Sequence, residues 1–247
     1  MIPKLQVGFW KRYLNAPWRI FHRTGLKALI SPVQKFECNL CGYKGGFVPH
    51  GFGLLQCPSC KSSNRHRLIV WMLETEMPDL LSGARRVLHF APELSLGGVL
   101  RGVPGLRYET ADLAAKGVDH TFDLQTERLG EDSYDAVMAN HILEHIPDDR
   151  AALRNIFHMV KPGGAAIVTV PMRANSETTD EDLSVTDPAE RTRRWGQADH
   201  LRLYGKDLAE RMTEAGFTAT VWTPPAGAPV QRFAMMGEAI FLGRKPL

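Results

Sequence analysis

No run of eighteen apolar residues occurs in the 247-residue chain, so the sequence offers no membrane-spanning helix. The apolar start is broken at residues 9–12 (FWKR), and no small-residue cleavage site follows a continuous apolar core, so no signal peptide is expected. A cytoplasmic location is the resulting expectation. Cysteine is scarce: there are four, all between residues 38 and 60, which excludes a disulfide-dense scaffold. An excess of one charge is also missing. The net +3 argues weakly against nucleic acid as a partner. Asp and Glu are absent from residues 1–30, although six Lys or Arg lie there. Internal repeats and low-complexity tracts are absent throughout.

What is present fits one main domain with a small extra module: 44% hydrophobic and 23% charged residues are ordinary globular values. The basic residues of 1–30 are interleaved with Phe9, Trp10, Tyr13, Trp18 and Phe21. Such a segment either packs its aromatics on the main domain or lies at an anionic membrane surface. Pro17 and Gly25 interrupt any long amphipathic helix, which favours packing.

Cys38-Asn39-Leu40-Cys41 and Cys57-Pro58-Ser59-Cys60 stand fifteen residues apart. Two C-x-x-C knuckles at this spacing point to a zinc ribbon, because each tight turn supplies two soft ligands of a tetrahedral site. Four protein thiolates leave no position for a catalytic water, so the expected Zn2+ is structural. His50 is a possible substitute ligand. After the second knuckle, a serine cap and the set Leu68, Ile69, Met72 and Leu73 predict an amphipathic helix ended by Pro78. Arg65 and Arg67 at its start suit a phosphate, or simply a solvated first turn.

The chain is organised around residues 133–171. Tyr134 to Ala139 predicts a buried strand. Asp148 is a helix cap, and Ala151, Leu153, Ile156, Phe157 and Val160 form one apolar face. Lys161-Pro162-Gly163-Gly164 breaks that helix before an apolar strand over 165–170. This is a parallel βαβ unit, and in such sheets ligands sit beyond the carboxyl ends of the strands. Asn140 and His141 therefore fall at a predicted binding edge.

The string N-H-I-L-E-H-I-P-D-D within 135–149, with the Lys-Pro-Gly-Gly turn, resembles the class I S-adenosylmethionine-dependent methyltransferases, and most closely their small-molecule branch. The resemblance extends over about residues 85–244. It implies an α/β fold: a doubly wound, mostly parallel seven-stranded sheet in the order 3-2-1-4-5-7-6, with strand 7 antiparallel. The zinc ribbon would be a separate N-terminal module. Three segments follow: a basic, aromatic 1–30; a ribbon and linking helix over 31–83; and a methyltransferase domain over 84–247.

The resemblance also assigns a cofactor site for S-adenosylmethionine. A strand at 86–90 leads into Ala91-Pro92-Glu93, where the family's G-x-G-x-G is absent. A carboxylate at Glu93 suits a sulfonium or ammonium, or merely a helix N-terminus. Asp112, with Leu113 beside it, matches the acid that accepts from both ribose hydroxyls. Asp123 and Leu124 match the pair that holds the adenine. Asn140 and His141 complete the set. Strands are expected at 106–110 and 118–122, and a closing hairpin at 217–222 and 238–243.

Residues 141–145 also match the H-x-x-E-H string of one metalloprotease class. That motif needs a long helix, which Pro147 forbids, and His145 reads as a packing histidine. Residues 172–196 are polar and predict a lid, with Asp199-His200 at its base. His200 and His141 are the candidate catalytic bases. The expected reaction is methyl transfer to a small-molecule or glycan hydroxyl. The alternatives are an RNA methyltransferase that binds through the ribbon, and a non-catalytic binding module whose altered 91–96 loop has lost the cofactor. Oligomeric state is not legible.

Overall fold

The computed structural model describes residues 34–50, 54–173, 176–237 and 239–247. The basic segment 1–30, and with it both the favoured packing of its aromatics and the alternative membrane contact, lies outside the described residues.

The sheet is built on strands whose side chains are apolar on both faces. Its seven members are β5 (Arg86–Phe90), β6 (Arg107–Asp112), β7 (His120–Thr121), β8 (Tyr134–Asn140), β9 (Val160–Thr169), β12 (Thr218–Trp222) and β13 (Ile240–Arg244). They lie in the order β12-β13-β9-β8-β5-β6-β7. The five strands from β9 to β7 are mutually parallel, and β13 is antiparallel to both β9 and β12. This is the expected order, with the last strand reversed. Along β5, β8, β9 and β13, successive side chains point to opposite faces. Val87, Ala136, Met138, Ile167 and Ile240 join one core; Leu88, Val137, Ala139, Val168 and Phe241 join the other. Strands apolar on both faces need cover on both, which is the physical basis of the doubly wound form.

Helices supply that cover. On the second face lie α3 (Asp149–Met159) and α5 (Leu208–Glu214), which bury Leu153, Ile156, Leu208 and Met212. The Asp148 carboxylate caps α3, accepting from the Ala151 N–H at 2.9 Å. On the first face lie α1 (Asn64–Glu76) and α2 (Leu94–Arg101). The expected apolar set of α1, Leu68, Ile69, Met72 and Leu73, is fully buried there beside Leu96, Val99 and Leu100 of α2.

The same core runs on into the cysteine module. Its hairpins are β1 (Phe36–Glu37) with β2 (Lys44–Gly45), and β3 (Val48–His50) with β4 (Leu54–Gln56). Phe36, Cys38, Leu40 and Phe47 belong to one cluster with the α1 and sheet residues. Residue 83 therefore divides two stretches of sequence but not two cores. The reason is economy of surface: two short hairpins cannot bury enough apolar area alone, and α1 supplies the rest.

The four cysteines are free and converge, all Sγ atoms lying within 4.8 Å of one another. Cys38 and Cys60 are 3.6 Å apart, and Cys41 and Cys57 are 3.8 Å apart. Each knuckle closes through a backbone bond, Gly42 N–H to Cys38 O and Lys61 N–H to Cys57 O. Gly42 and Lys61 both take left-handed φ, 76° and 62°. His50 is exposed on β3 and outside the cluster.

Arg67 ties the module to the rest. Its guanidinium is fully buried and donates to the carbonyls of Leu55, Ser62, Phe233 and Ala234, and to Asn64 Oδ1. Arg67 thus does not bind phosphate at the start of α1, and Arg65 pairs with Glu93 at 3.3 Å. An arginine fork needs many acceptors when buried, and backbone carbonyls gathered here from three segments provide them.

Other expectations shift for local reasons. The third strand begins only at His120, because the Asp119 carboxylate takes the Thr110 N–H and hydroxyl at 2.8 and 2.7 Å in place of a ladder bond. The Lys-Pro-Gly-Gly turn is an irregularity inside β9, not a gap before it: Tyr134 pairs with Val160 and Ala136 with Ala165. The polar stretch 172–196 is not a plain loop. It carries β10 (Asp180–Glu181), paired with β11 (Arg202–Leu203), and α4 (Pro188–Trp195). Asp187 caps α4, Gly196 ends it with φ 90°, and Trp195 is buried. No described helix is long and apolar enough to cross a membrane.

Candidate active site

Beyond the carboxyl ends of β5, β6 and β8 the chain leaves a cleft of about 460 Å³. Ala91, Asp112, Leu113, Asp123, Leu124 and His141 all line it, as the sequence predicted. A hollow of about 540 Å³ lies elsewhere, lined by Gln125, Arg128, Arg154 and Lys245. The smaller cleft is the candidate site because it occupies the ligand-binding edge of a parallel sheet.

Two adjacent strand ends turn sharply to open this cleft. Ala91 after β5 has φ 45°, and His141 after β8 has φ 52°. A side chain in the left-handed region costs roughly 1–2 kcal/mol, which is why glycine is the usual residue there. The missing glycine at 91 has therefore not changed the turn; alanine holds it under strain, pinned by its N–H on Ala111 O at 2.8 Å. Ala91→Gly is expected to raise stability by about 0.5–1 kcal/mol, the reverse of the usual sign for this substitution in ordered backbone. A chemical denaturation midpoint that falls on this change would refute the strain.

Asp112 and Asp123 are held by their own turns. Asp112 Oδ1 accepts from the Ala114 and Ala115 N–H groups at 2.9 and 2.8 Å, and Asp123 Oδ1 accepts from Gln125 N–H at 2.8 Å. The second oxygen of each carboxylate has no hydrogen-bond partner among the described residues. The local turn thus fixes each carboxylate and leaves acceptor capacity over. Three carboxylates, those of Asp112, Asp123 and Asp199, line the cleft, and no Lys or Arg does among the described residues. The field there favours a cationic ligand over a phosphate.

Glu93, Asn140 and Pro92 do not line the cleft, contrary to expectation. Glu93 begins α2 without capping it. Its carboxylate points inward and accepts from His89 Nε2 at 2.9 Å, His66 Nε2 at 3.2 Å and Asn140 Nδ2 at 3.3 Å. Burial alone would raise the Glu93 pKa; the hydrogen bonds from His66 and His89 outweigh it and hold the carboxyl far below the usual range. His66 Nδ1 accepts from Ser63 N–H at 3.1 Å, so Nε2 carries the proton given to Glu93. Asn140 completes the cluster, its Oδ1 accepting from the Thr169 hydroxyl at 3.1 Å. A buried carboxylate needs donors, and the cluster supplies them from α1, β5 and β8. Glu93 therefore braces the turn from beneath.

The two candidate bases differ. His141 lines the cleft, with Nδ1 3.4 Å from Glu144 Oε1. His200 is 2% exposed and does not line it; its Nδ1 sits 2.8 Å from Trp195 O. Missed as site residues were Glu144 and His145, on a single 3-10 turn (Leu143–His145); Asp199, expected at the lid base, lines the cleft 3.2 Å from His145 Nδ1. The short turn confirms that no metalloprotease helix forms. The acid-histidine pairs at 144–145 and 199–200 were the one available signal.

A methyltransferase-domain family model matches residues 89–221, more than half of the chain and the whole of the cleft. The chain belongs to that family. The expectation of a class I S-adenosylmethionine-dependent methyltransferase, and of its Rossmann-like sheet, is borne out by this match together with the strand order. Among solved structures, the CurJ carbon methyltransferase is similar, with 13% identity and a TM-score of 0.50 over 74% of this chain and 53% of its own. A possible exported protein from Bordetella parapertussis matches at 18% identity and a TM-score of 0.50, over 74% of this chain and 67% of its own. The chain thus spans about half the length of the first. At these identities the methyltransferase's neighbours attest its fold alone. No curated protein matches it.

Proposed function

We propose that this methyltransferase holds S-adenosylmethionine in the 460 Å³ cleft and methylates a hydroxyl of a small molecule or glycan. The acidic lining carries the reading: three carboxylates, with no Lys or Arg among the described residues, suit a ligand that bears a sulfonium and an ammonium. The unshared oxygen of Asp112 would take the ribose hydroxyls, Asp123 the adenine amino group, and Leu113 and Leu124 the faces of the ring. Ala91 would let the backbone approach, and His141 would sit toward the acceptor. Bound there, the cofactor supplies an activated methyl on a good neutral leaving group.

The chain's own task is then alignment, which supplies roughly 7–11 kcal/mol when two reactants are held in line. For a hydroxyl acceptor, a positioned base adds about a hundred- to ten-thousand-fold. His141 is the better base, because it lines the cleft while His200 is buried and does not. The Cys38, Cys41, Cys57 and Cys60 cluster suits a structural Zn2+: bonds of about 2.3 Å put tetrahedral sulfurs about 3.8 Å apart, close to the spacing found. We read the acceptor as a small molecule or glycan, not a nucleic acid, and the location as cytoplasmic.

Titration calorimetry with S-adenosylmethionine tests the cleft, and labelled methyl transfer to extract fractions sorted into glycans, lipids, RNA and metabolites tests the acceptor. Absence of heat at millimolar cofactor would end the enzyme reading. Label appearing only in RNA would replace the acceptor class.

A further inference from the structure

Beside the cleft lies a group of buried acceptors without hydrogen-bond partners among the described residues; the nearest cationic group is the half-buried His141, Nδ1 3.4 Å from Glu144 Oε1. The Glu144 side chain is 1% exposed, and neither of its oxygens has a hydrogen-bond partner among the described residues. His200 is 2% exposed; its Nδ1 lies on the Trp195 carbonyl, which only accepts, so Nδ1 carries the proton and Nε2 presents a lone pair. That Nε2 is also buried without a partner. His145 stands against His200, ring centroids 4.9 Å apart, and its Nδ1 is oriented by Asp199 at 3.2 Å. One ligand atom from each of Glu144, His145 and His200 falls within 4.8 Å of the others.

The framework that brings them together is rigid. Arg202 is fully buried and donates to the carbonyls of Leu143, Ile146 and Pro147, while Leu201 N–H bonds Glu144 O at 2.9 Å. The turn bearing Glu144 and His145 is thereby clamped to the segment bearing His200. A buried carboxylate facing a histidine lone pair is unfavourable unless a positive group lies between them. His200 Nδ1 is held by the Trp195 carbonyl and His145 Nδ1 lies 3.2 Å from the Asp199 carboxylate, partners of the kind usual around metal-binding histidines.

We propose that Glu144, His145 and His200 bind one divalent transition-metal cation at the rim of the cleft. Two imidazoles and a carboxylate suit Zn2+, Mn2+, Fe2+ or Co2+, and three protein ligands leave positions open, unlike the closed four-cysteine cluster. Because His145 and Asp199 also line the cleft, the open positions face the ground where an acceptor enters. Their ligand class is an oxygen donor, which rests on the reading of the cleft as a site of hydroxyl methylation. His200 is then a ligand and not a base.

The test uses the full chain with zinc retained at the cysteines. Titration with Mn2+, followed by calorimetry and by the loss of its free electron-spin signal, is expected to show one equivalent bound and a rise in melting temperature. Glu144→Gln should weaken that binding at least tenfold and abolish the rise, and His200→Ala should do the same. Glu144→Gln without metal should melt no lower than the parent, because it removes a buried charge whose oxygens have no hydrogen-bond partner among the described residues. A Co2+-loaded sample should change its visible spectrum on addition of acetohydroxamate, a two-oxygen donor. Failure to bind Mn2+, Co2+ or further Zn2+, or equal binding by Glu144→Gln, overturns the site. An unmoved Co2+ spectrum overturns its open positions. Separate calorimetry with S-adenosylmethionine keeps the readings apart: cofactor heat without metal binding sinks this site alone, and metal binding without cofactor heat sinks the cleft reading alone.

Discussion

Cys57→Ser is expected to unfold far more than the two hairpins around it. Cys38, Cys57 and Cys60 are at most 1% exposed, and their cluster is continuous with Leu68, Ile69, Met72 and Leu73 of α1 and with Val87 and Ile167 of the sheet. Structural zinc supplies roughly 10–16 kcal/mol of folding free energy at neutral pH, more than a whole domain's usual stability. With Zn2+ held as proposed, loss of one thiolate would open the site and leave Arg67 buried beside a disordered partner. The helix signal should therefore melt in one transition at much lower temperature, or the chain should not accumulate folded. A chelator should do the same to the unmodified protein. If thermal unfolding of α1 and the sheet is unchanged after zinc is stripped, the shared core is not energetically shared.

The second large effect is at Asp112. Two charge-assisted hydrogen bonds of about 1.5–3 kcal/mol each would be lost with its carboxylate. At about 1.4 kcal/mol per decade, Asp112→Ala should weaken S-adenosylmethionine binding by roughly a hundredfold or more. Because Oδ1 also anchors the Ala114 and Ala115 amides, alanine alone confounds ligand and turn. Asp112→Asn separates them: its amide oxygen can keep the turn, but the charge is gone. Calorimetry on both variants should show weakened binding, with the melting temperature kept only in Asp112→Asn. Unaltered cofactor affinity in both would remove Asp112 from the ribose.

Much of this was legible beforehand. The length and continuity of the apolar runs placed β5, β8, β9 and the closing hairpin, because strands covered on both faces must be apolar throughout. The Asp148 cap and the α1 apolar face were legible for the same kind of local reason. The cysteine spacing found the cluster of four converging thiols. Six cleft residues were found because each stands directly after a strand or its turn. Glu93 and Asn140 were misplaced for the opposite reason. Their positions were right, but their side-chain directions depend on His66 and His89, and His66 comes from a helix that the sequence assigned to another module.

By itself, then, the sequence determined whatever depends on neighbours within a dozen residues: strand, helix, cap, knuckle, and which residues stand at the strand tips. Tertiary structure alone decided which way those tips face. It buried Arg67 among carbonyls from three segments, turned Glu93 beneath the cleft, and set His200 opposite Glu144 across 56 positions of chain. Hydrophobic periodicity is a local code, whereas the pairing of buried polar groups is settled only when distant segments meet and each must find a partner.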